Sequence, residues 1–117
     1  MACAVLIGAL VFLGGCGETQ SAAAIDPVKE FPRGAEVYNQ YCISCHAAGI
    51  AGSPSIGDTE RWRAELDMEG FDEIVREAIV GMGAMPARGL CNECSDDEVR
   101  QAVQYMLAAS GIMPSDY

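Results

Sequence analysis

The feature that most constrains this chain is the pentapeptide Cys42-Ile43-Ser44-Cys45-His46. C-x-x-C-H is the attachment signature of c-type haem. Two cysteines three positions apart share one face at a helix end, where their thiols reach the two vinyl groups of a porphyrin as thioethers. The histidine that follows then presents its imidazole to the iron. Covalent attachment lets a short chain hold a haem that it is too small to enclose. Other readings of the pair fare worse. A thioredoxin-like dithiol needs a βαβ context, and no alternating strand pattern is present. A zinc ribbon shared with Cys91 and Cys94 would have residues 46–90 between its halves, where about 15–20 are usual. His46 is the only histidine in the chain, so the expected haem has one imidazole ligand.

The rest of the chain supports a small helical domain. With 117 residues there is room for one domain. Residues 33–117 read as short helices joined by Gly/Pro loops, an all-α arrangement. Val37, Tyr38 and Tyr41 share a helical face over residues 33–42. Residues 47–57 read as loop, and Asp58 can cap a short helix carrying Trp62 and Leu66. Phe71, Ile74, Val75, Ala78 and Ile79 follow the spacing of an amphipathic helix. Residues 81–94 are loop again. Ser95-Asp96-Asp97-Glu98 is a capping box opening a last helix, whose buried stripe is Val99, Ala102, Val103, Met106 and Leu107.

With no second histidine, the sixth ligand is a methionine, a lysine or an open position. Lys29 falls in a stretch that reads as a tether. Met106 belongs to the core stripe of the last helix, and Met68 and Met113 sit near helix ends with no further support. Met82 and Met85 share the segment Gly81-Met82-Gly83-Ala84-Met85-Pro86, a flexible approach followed by a rigid stop. Pro86 restricts Met85, which makes Met85 the first choice and Met82 the second. Cys91 and Cys94 form a disulfide by default in an oxidising compartment, with free thiols or an added metal as the alternatives. Trp62 and its neighbours Arg61 and Arg63 offer donors for a haem propionate, or else an aromatic core residue between two solvated charges.

Residues 2–15 carry no charge and fall short of the roughly 20 residues that cross a bilayer as a helix. They read as a secretory apolar region, although no base precedes them. The run closes in Leu13-Gly14-Gly15-Cys16, which resembles the lipobox of bacterial lipoproteins and makes Cys16 the expected site of lipidation. Ala22-Ala23-Ala24 offers a competing cleavage site that would release a soluble protein. The expected organisation is a signal peptide over residues 1–15, a tether over residues 16–31 and a haem domain over residues 32–117. Seventeen acids against seven bases give a net charge of −10. That balance argues against nucleic acid as a partner and favours a redox protein with a basic docking surface.

These residues resemble the class I c-type cytochromes, and specifically the cytochrome c5 family. The shared pattern is Gly34-x-x-Val37-Tyr38, Cys42-x-x-Cys45-His46, Gly52-x-Pro54-x-x-Gly57-Asp58, Trp62 and Gly83-x-Met85-Pro86. It continues through Cys91-x-x-Cys94-Ser95-Asp96-x-Glu98 and Ala102-Val103-x-Tyr105-Met106. The resemblance implies a non-enzymatic periplasmic electron carrier with one covalent haem c, His46 and Met85 as axial ligands, and a Cys91–Cys94 disulfide. It also implies crossed first and last helices, with Gly34 permitting close approach near Tyr105. The sequence departs from the pattern at Ala87-Arg88-Gly89-Leu90, where glycines are fewer than usual. A haem subunit of a larger oxidase or reductase, and a haem-based gas sensor with an open sixth position, are the other functional classes that these residues admit.

Overall fold

Proline opens each of the first two helices. In the computed structural model, which describes residues 25–117, Asp26 caps α1 (Pro27–Glu30) by accepting from the amides of Val28 and Lys29 at 3.1 and 3.4 Å. The cap followed by proline at the first helical position is a strong start signal. Phe31 is buried behind it, and α1 packs on two later helices. Residues 26–31, expected as part of a tether, are ordered here, because Asp-Pro and Phe31 together fix what composition alone assigns to a tether. Residues 1–24, which include Cys16 and both candidate cleavage sites, lie outside the described residues.

The helix expected over residues 33–42 is present and continues to His46, with a widened turn inside it. α2 (Pro32–Val37) runs into a π-turn (Tyr38–Cys42), in which the Ile43 amide bonds the Tyr38 carbonyl five residues back. α3 (Ile43–His46) follows. Such single π-turns concentrate at functional sites, because the extra residue re-aims the side chains after it. Here they are those of the C-x-x-C-H segment.

Asp58 caps α4 (Thr59–Glu69) by accepting from the Arg61 amide at 3.1 Å. α5 (Phe71–Val80) is bounded by Gly70 and Gly81, both at positive φ. α6 (Asp96–Ala109) opens with the expected capping box, Ser95 and Glu98 each bonding the other's backbone amide. Its stripe of Val99, Ala102, Val103, Met106 and Leu107 is buried as expected. No strand forms among the described residues; one two-residue pairing joins Met82 and Met85.

The close approach of α2 and α6 falls one turn earlier than expected. A Cβ on Gly34 would lie 2.1 Å from the carbonyl oxygen of Gln101, so only glycine fits. Tyr105 meets Tyr38 instead, with ring centroids 5.3 Å apart. Every one of the seven basic residues is ion-paired with an acid. The negative charge of the surface is thus carried by the acids left over.

Candidate functional site

α3, α4, α5, the segment 81–90 and the inner face of α6 enclose a cavity of about 460 Å³, within the range of cofactor pockets. Cys42, Cys45 and His46 form one wall, and Met82 and Met85 reach it from the segment after α5. Val103 and Met106 of α6 supply part of its apolar lining.

His46 is buried, and its ring is fixed from two sides. Nδ1 lies 2.7 Å from the Pro54 carbonyl oxygen. A carbonyl only accepts, so Nδ1 carries the proton and donates, which leaves the Nε2 lone pair free to bind a metal. Trp62 lies nearly parallel to the imidazole, at 21° with centroids 6.0 Å apart, and its own N–H donates to the Ser55 carbonyl at 3.0 Å. Trp62 therefore orients the histidine from behind; its N–H is not free for a propionate.

Arg61 and Arg63 part company. Residues 61, 62, 65 and 69 line the cavity, while Arg63, about 100° further round the helix, pairs with Asp116 at 3.7 Å away from it. Arg63, expected as a propionate contact, is thus not among the residues that line the cavity. Arg61 is at the rim, with its Nη2 and Nε both 2.7 Å from Glu65.

Cys42 and Cys45 are reduced and half-buried. Burial, with the neighbouring Cys45 adding to it, pushes the Cys42 thiol up to about 11, so it stays a neutral thiol near neutral pH. Met82 and Met85 exchange backbone hydrogen bonds of 3.0 and 2.9 Å, closing a tight turn over Gly83 and Ala84. Gly81 is pressed against this turn: a Cβ there would lie 2.9 Å from the Met85 carbonyl oxygen and the Ala87 nitrogen. The approach to Met85 is thus more tightly held than its glycines imply. Met85 packs against the core, whereas Met82 is 54% exposed.

Cys91 and Cys94 are joined, sulfur to sulfur at 2.00 Å. Three features beyond that bond went unrecognised in the sequence, and the first two make the loop it closes a junction. Tyr41, just before Cys42, donates to the Glu93 carboxylate within it, and Arg88 donates to the Cys94 carbonyl at 2.9 Å. The third is an acidic edge: Glu65, Glu69 and Glu77 line the cavity on its α4–α5 side. Loss of solvent, with the carboxylates of Glu77, Glu65 and Glu73, pushes Glu69 up from the ordinary Glu range. Pro54 was the one legible trace of the histidine's partner, since proline supplies a carbonyl but no competing N–H.

Residues 29–106 match the family described as cytochrome C oxidase, cbb3-type, subunit III. The chain is 46% identical over 72 residues to cytochrome c5 of Ectopseudomonas mendocina, covering 61% of this chain and 83% of that protein. It belongs to the class I c-type cytochromes of the c5 family. Cytochrome c-555 of Chlorobaculum tepidum is 32% identical over 111 residues, covering 92% of this chain and 94% of its own. A solved cytochrome c, from the structure of its electron transfer complex with nitrite reductase, superposes with a TM-score of 0.62 at 37% identity. It covers 68% of this chain and 95% of that one.

One covalent haem c is the cofactor of this cytochrome family, and the residues present fit it. Two reduced thiols stand on one wall, an imidazole with a free Nε2 stands beside them, and methionine thioethers line the same apolar cavity. Among the described residues no group of three or more His, Cys, Asp or Glu side chains is placed to hold a metal ion.

Proposed function

We propose that this cytochrome carries single electrons between protein partners, with Cys42 and Cys45 as the thioether attachments and His46 and Met85 as the axial ligands. The observation that carries the reading is that one cavity draws an oriented imidazole and a half-buried thioether from the same chain. Haem, when bound, supplies a one-electron couple between ferric and ferrous iron. The protein's part is to keep its surroundings the same in both states. Pro54 and Trp62 hold the imidazole in one orientation, and the paired backbones of Met82 and Met85 fix the approach of the thioether. Thioether ligation favours the ferrous state and raises the potential. The partner docks through a basic surface, attracted by the unpaired acids in a salt-dependent way.

Leu13-Gly14-Gly15-Cys16 supports a lipid tether at Cys16 and a place on the periplasmic side of a bacterial membrane. Among the described residues no helix is long and apolar enough to cross a membrane. Mass spectrometry of the native product tests the tether: an acylated Cys16 as first residue is expected, and an unmodified Ile25 at the N-terminus refutes it.

A second reading, a haem subunit working inside an oxidase or reductase complex, draws support from the description of the matching family. Co-migration of this cytochrome with a larger haem complex in native gels of gently solubilised membranes would favour it over a free carrier.

Paired substitutions test the sixth ligand. Met85→Ala should lower the reduction potential, open the reduced iron to carbon monoxide and remove the thioether charge-transfer absorption of the ferric protein. Met82→Ala should leave all three nearly unchanged. The reverse pattern assigns the ligand to Met82. If neither variant changes ligation, the carrier reading gives way to that of a gas sensor.

A further inference from the structure

Met85 is anchored on its N-terminal side by the backbone pair with Met82, but the chain beyond it has a different kind of anchor. Pro86 leads into a 3₁₀ turn (Ala87–Leu90), closed by the Gly89 amide on the Pro86 carbonyl at 3.1 Å. Arg88 lies in that turn at φ 55°, a left-handed conformation that favours glycine. The backbone thus gains nothing from an arginine here, and a reason for the residue has to lie in its side chain.

The guanidinium is mostly covered, with the side chain 27% exposed. Nη1 donates to the Cys94 carbonyl at 2.9 Å, and Nη2 donates to the carboxylate of Asp96, the first residue of α6. Among the described residues it is the only arginine that donates to a main-chain carbonyl; the other arginines that pair do so with carboxylates alone. The two arms bridge the turn after Met85 to the end of the disulfide ring and the start of the last helix. Neighbouring contacts show that this turn also sits on the haem-attachment segment. A Cβ on Gly89 would lie 3.4 Å from the Tyr41 carbonyl oxygen and 3.7 Å from the Cys42 sulfur. Opening the turn would lift the Met85 segment away from both walls at once.

We propose that Arg88 is the positioning residue of the sixth ligand: its two-armed clamp on Cys94 and Asp96 holds the Met85 loop shut and sets how fast an outside ligand can displace the thioether. The proposal rests on the assignment of Met85 above. A forked guanidinium is needed because one acceptor is a carbonyl and the other a carboxylate on a different element. The point charge of a lysine ammonium serves such a pair less well.

The test uses the haem-loaded protein and its variants Arg88→Gly, Arg88→Lys, Asp96→Asn and Met85→Ala. Glycine suits the left-handed backbone, so Arg88→Gly removes the clamp while relieving the φ it imposes. The readouts are the rate at which imidazole binds the ferric protein, the thioether charge-transfer absorption and the thermal midpoint. Arg88→Gly should bind imidazole at least about tenfold faster than the parent, with Arg88→Lys and Asp96→Asn in between. In a Met85→Ala background the same Arg88→Gly change should have no further effect. An imidazole rate for Arg88→Gly that is unchanged or slower overturns the clamp, whatever happens to the midpoint. Should Arg88→Gly fail to fold, unchanged rates in both Arg88→Lys and Asp96→Asn overturn it equally. If Met85→Ala keeps the thioether absorption, it is the ligand assignment that fails; if the absorption is lost and the rates do not move, only the clamp fails.

Discussion

Replacing Gly34 by alanine probes the crossing on which the domain is built. The added Cβ would lie 2.1 Å from the Gln101 carbonyl oxygen, 2.5 Å from its carbon and 3.0 Å from the Ala102 nitrogen. All three are backbone atoms of α6, so no side-chain rotation relieves the clash. The helices must part by roughly an ångström at their crossing, in a core packed as densely as a crystal. Overpacking costs about 1–3 kcal/mol, and immovable backbone puts this site at the top of that range or beyond. Alanine's better helix propensity returns about 1 kcal/mol. The net expectation is a loss of about 2–3 kcal/mol, or about 10–20 °C in midpoint for a domain of this size. Thermal unfolding of the haem-loaded protein, followed by far-ultraviolet circular dichroism, measures it. Gly52→Ala is the control: its Cβ meets nothing within 4 Å, yet its φ of 79° imposes left-handed strain, worth about 1 kcal/mol. If Gly34→Ala falls no further than Gly52→Ala, the crossing is not the close contact described above.

The other expectations concern the disulfide and the acid limb of stability. Removing the ring by Cys91→Ala with Cys94→Ala should cost about 2 kcal/mol in urea unfolding from loop closure alone; an unchanged urea midpoint would show that the ring contributes nothing. Glu98 is held below the ordinary Glu value of 4.5, first by the Ser95 amide and then by Arg33. A carboxylate depressed in the folded state stabilises it above the unfolded value, and that contribution is lost as pH falls through the folded one. Stability should therefore drop from pH 6 to pH 3 more steeply in the parent than in Glu98→Gln, and parallel curves would remove Glu98 from the account.

What the sequence made legible is what local spacing encodes. C-x-x-C-H, the capping box at Ser95 and the apolar stripes of α5 and α6 each depend on residues within two turns of one another, and the structure has them at the expected places. Arg88 shows why the rest was hidden. In the sequence it is one residue of a loop with too few glycines; its significance lies in Cys94 and Asp96, which only the folding of the disulfide ring brings to it. The placement of Arg63 was hidden for the complementary reason. Adjacency to Trp62 suggested a shared target, but neighbours on a helix diverge by about 100°, and Asp116 from the C-terminal turn takes its charge. Likewise, the order of residues 26–31 was masked by composition: an alanine-containing polar stretch ends in an Asp-Pro cap and a buried phenylalanine.

The stretch that composition labels most plainly as loop ties the His46 segment to the rest of the domain. From Ser53 to Gly57 each residue makes at least one tie to another part of the chain. The Ser53 hydroxyl donates to the Cys45 carbonyl at 2.9 Å, Pro54 accepts from the imidazole, and Ser55 accepts from the Trp62 indole. The Ile56 amide donates to the His46 carbonyl at 2.7 Å, and the Gly57 amide donates to the Ser110 hydroxyl at 2.9 Å. Main-chain groups form most of these ties, so residue types alone reveal little of them; Pro54 counts through its carbonyl and Gly57 through its φ of 87°. The same ties explain how the imidazole proposed as an iron ligand is held still. His46 sits at the C-terminal end of the helical stretch over residues 32–46, where the last groups of a helix need partners outside it. Its ring and its backbone carbonyl are both bound by residues 54 and 56, which are tied in turn to α4 through Trp62 and to the end of α6 through Ser110. The imidazole is therefore held not only by its own helical stretch but also by α4 and α6 through a loop, and the proposed carrier depends on that loop to keep the imidazole in one orientation.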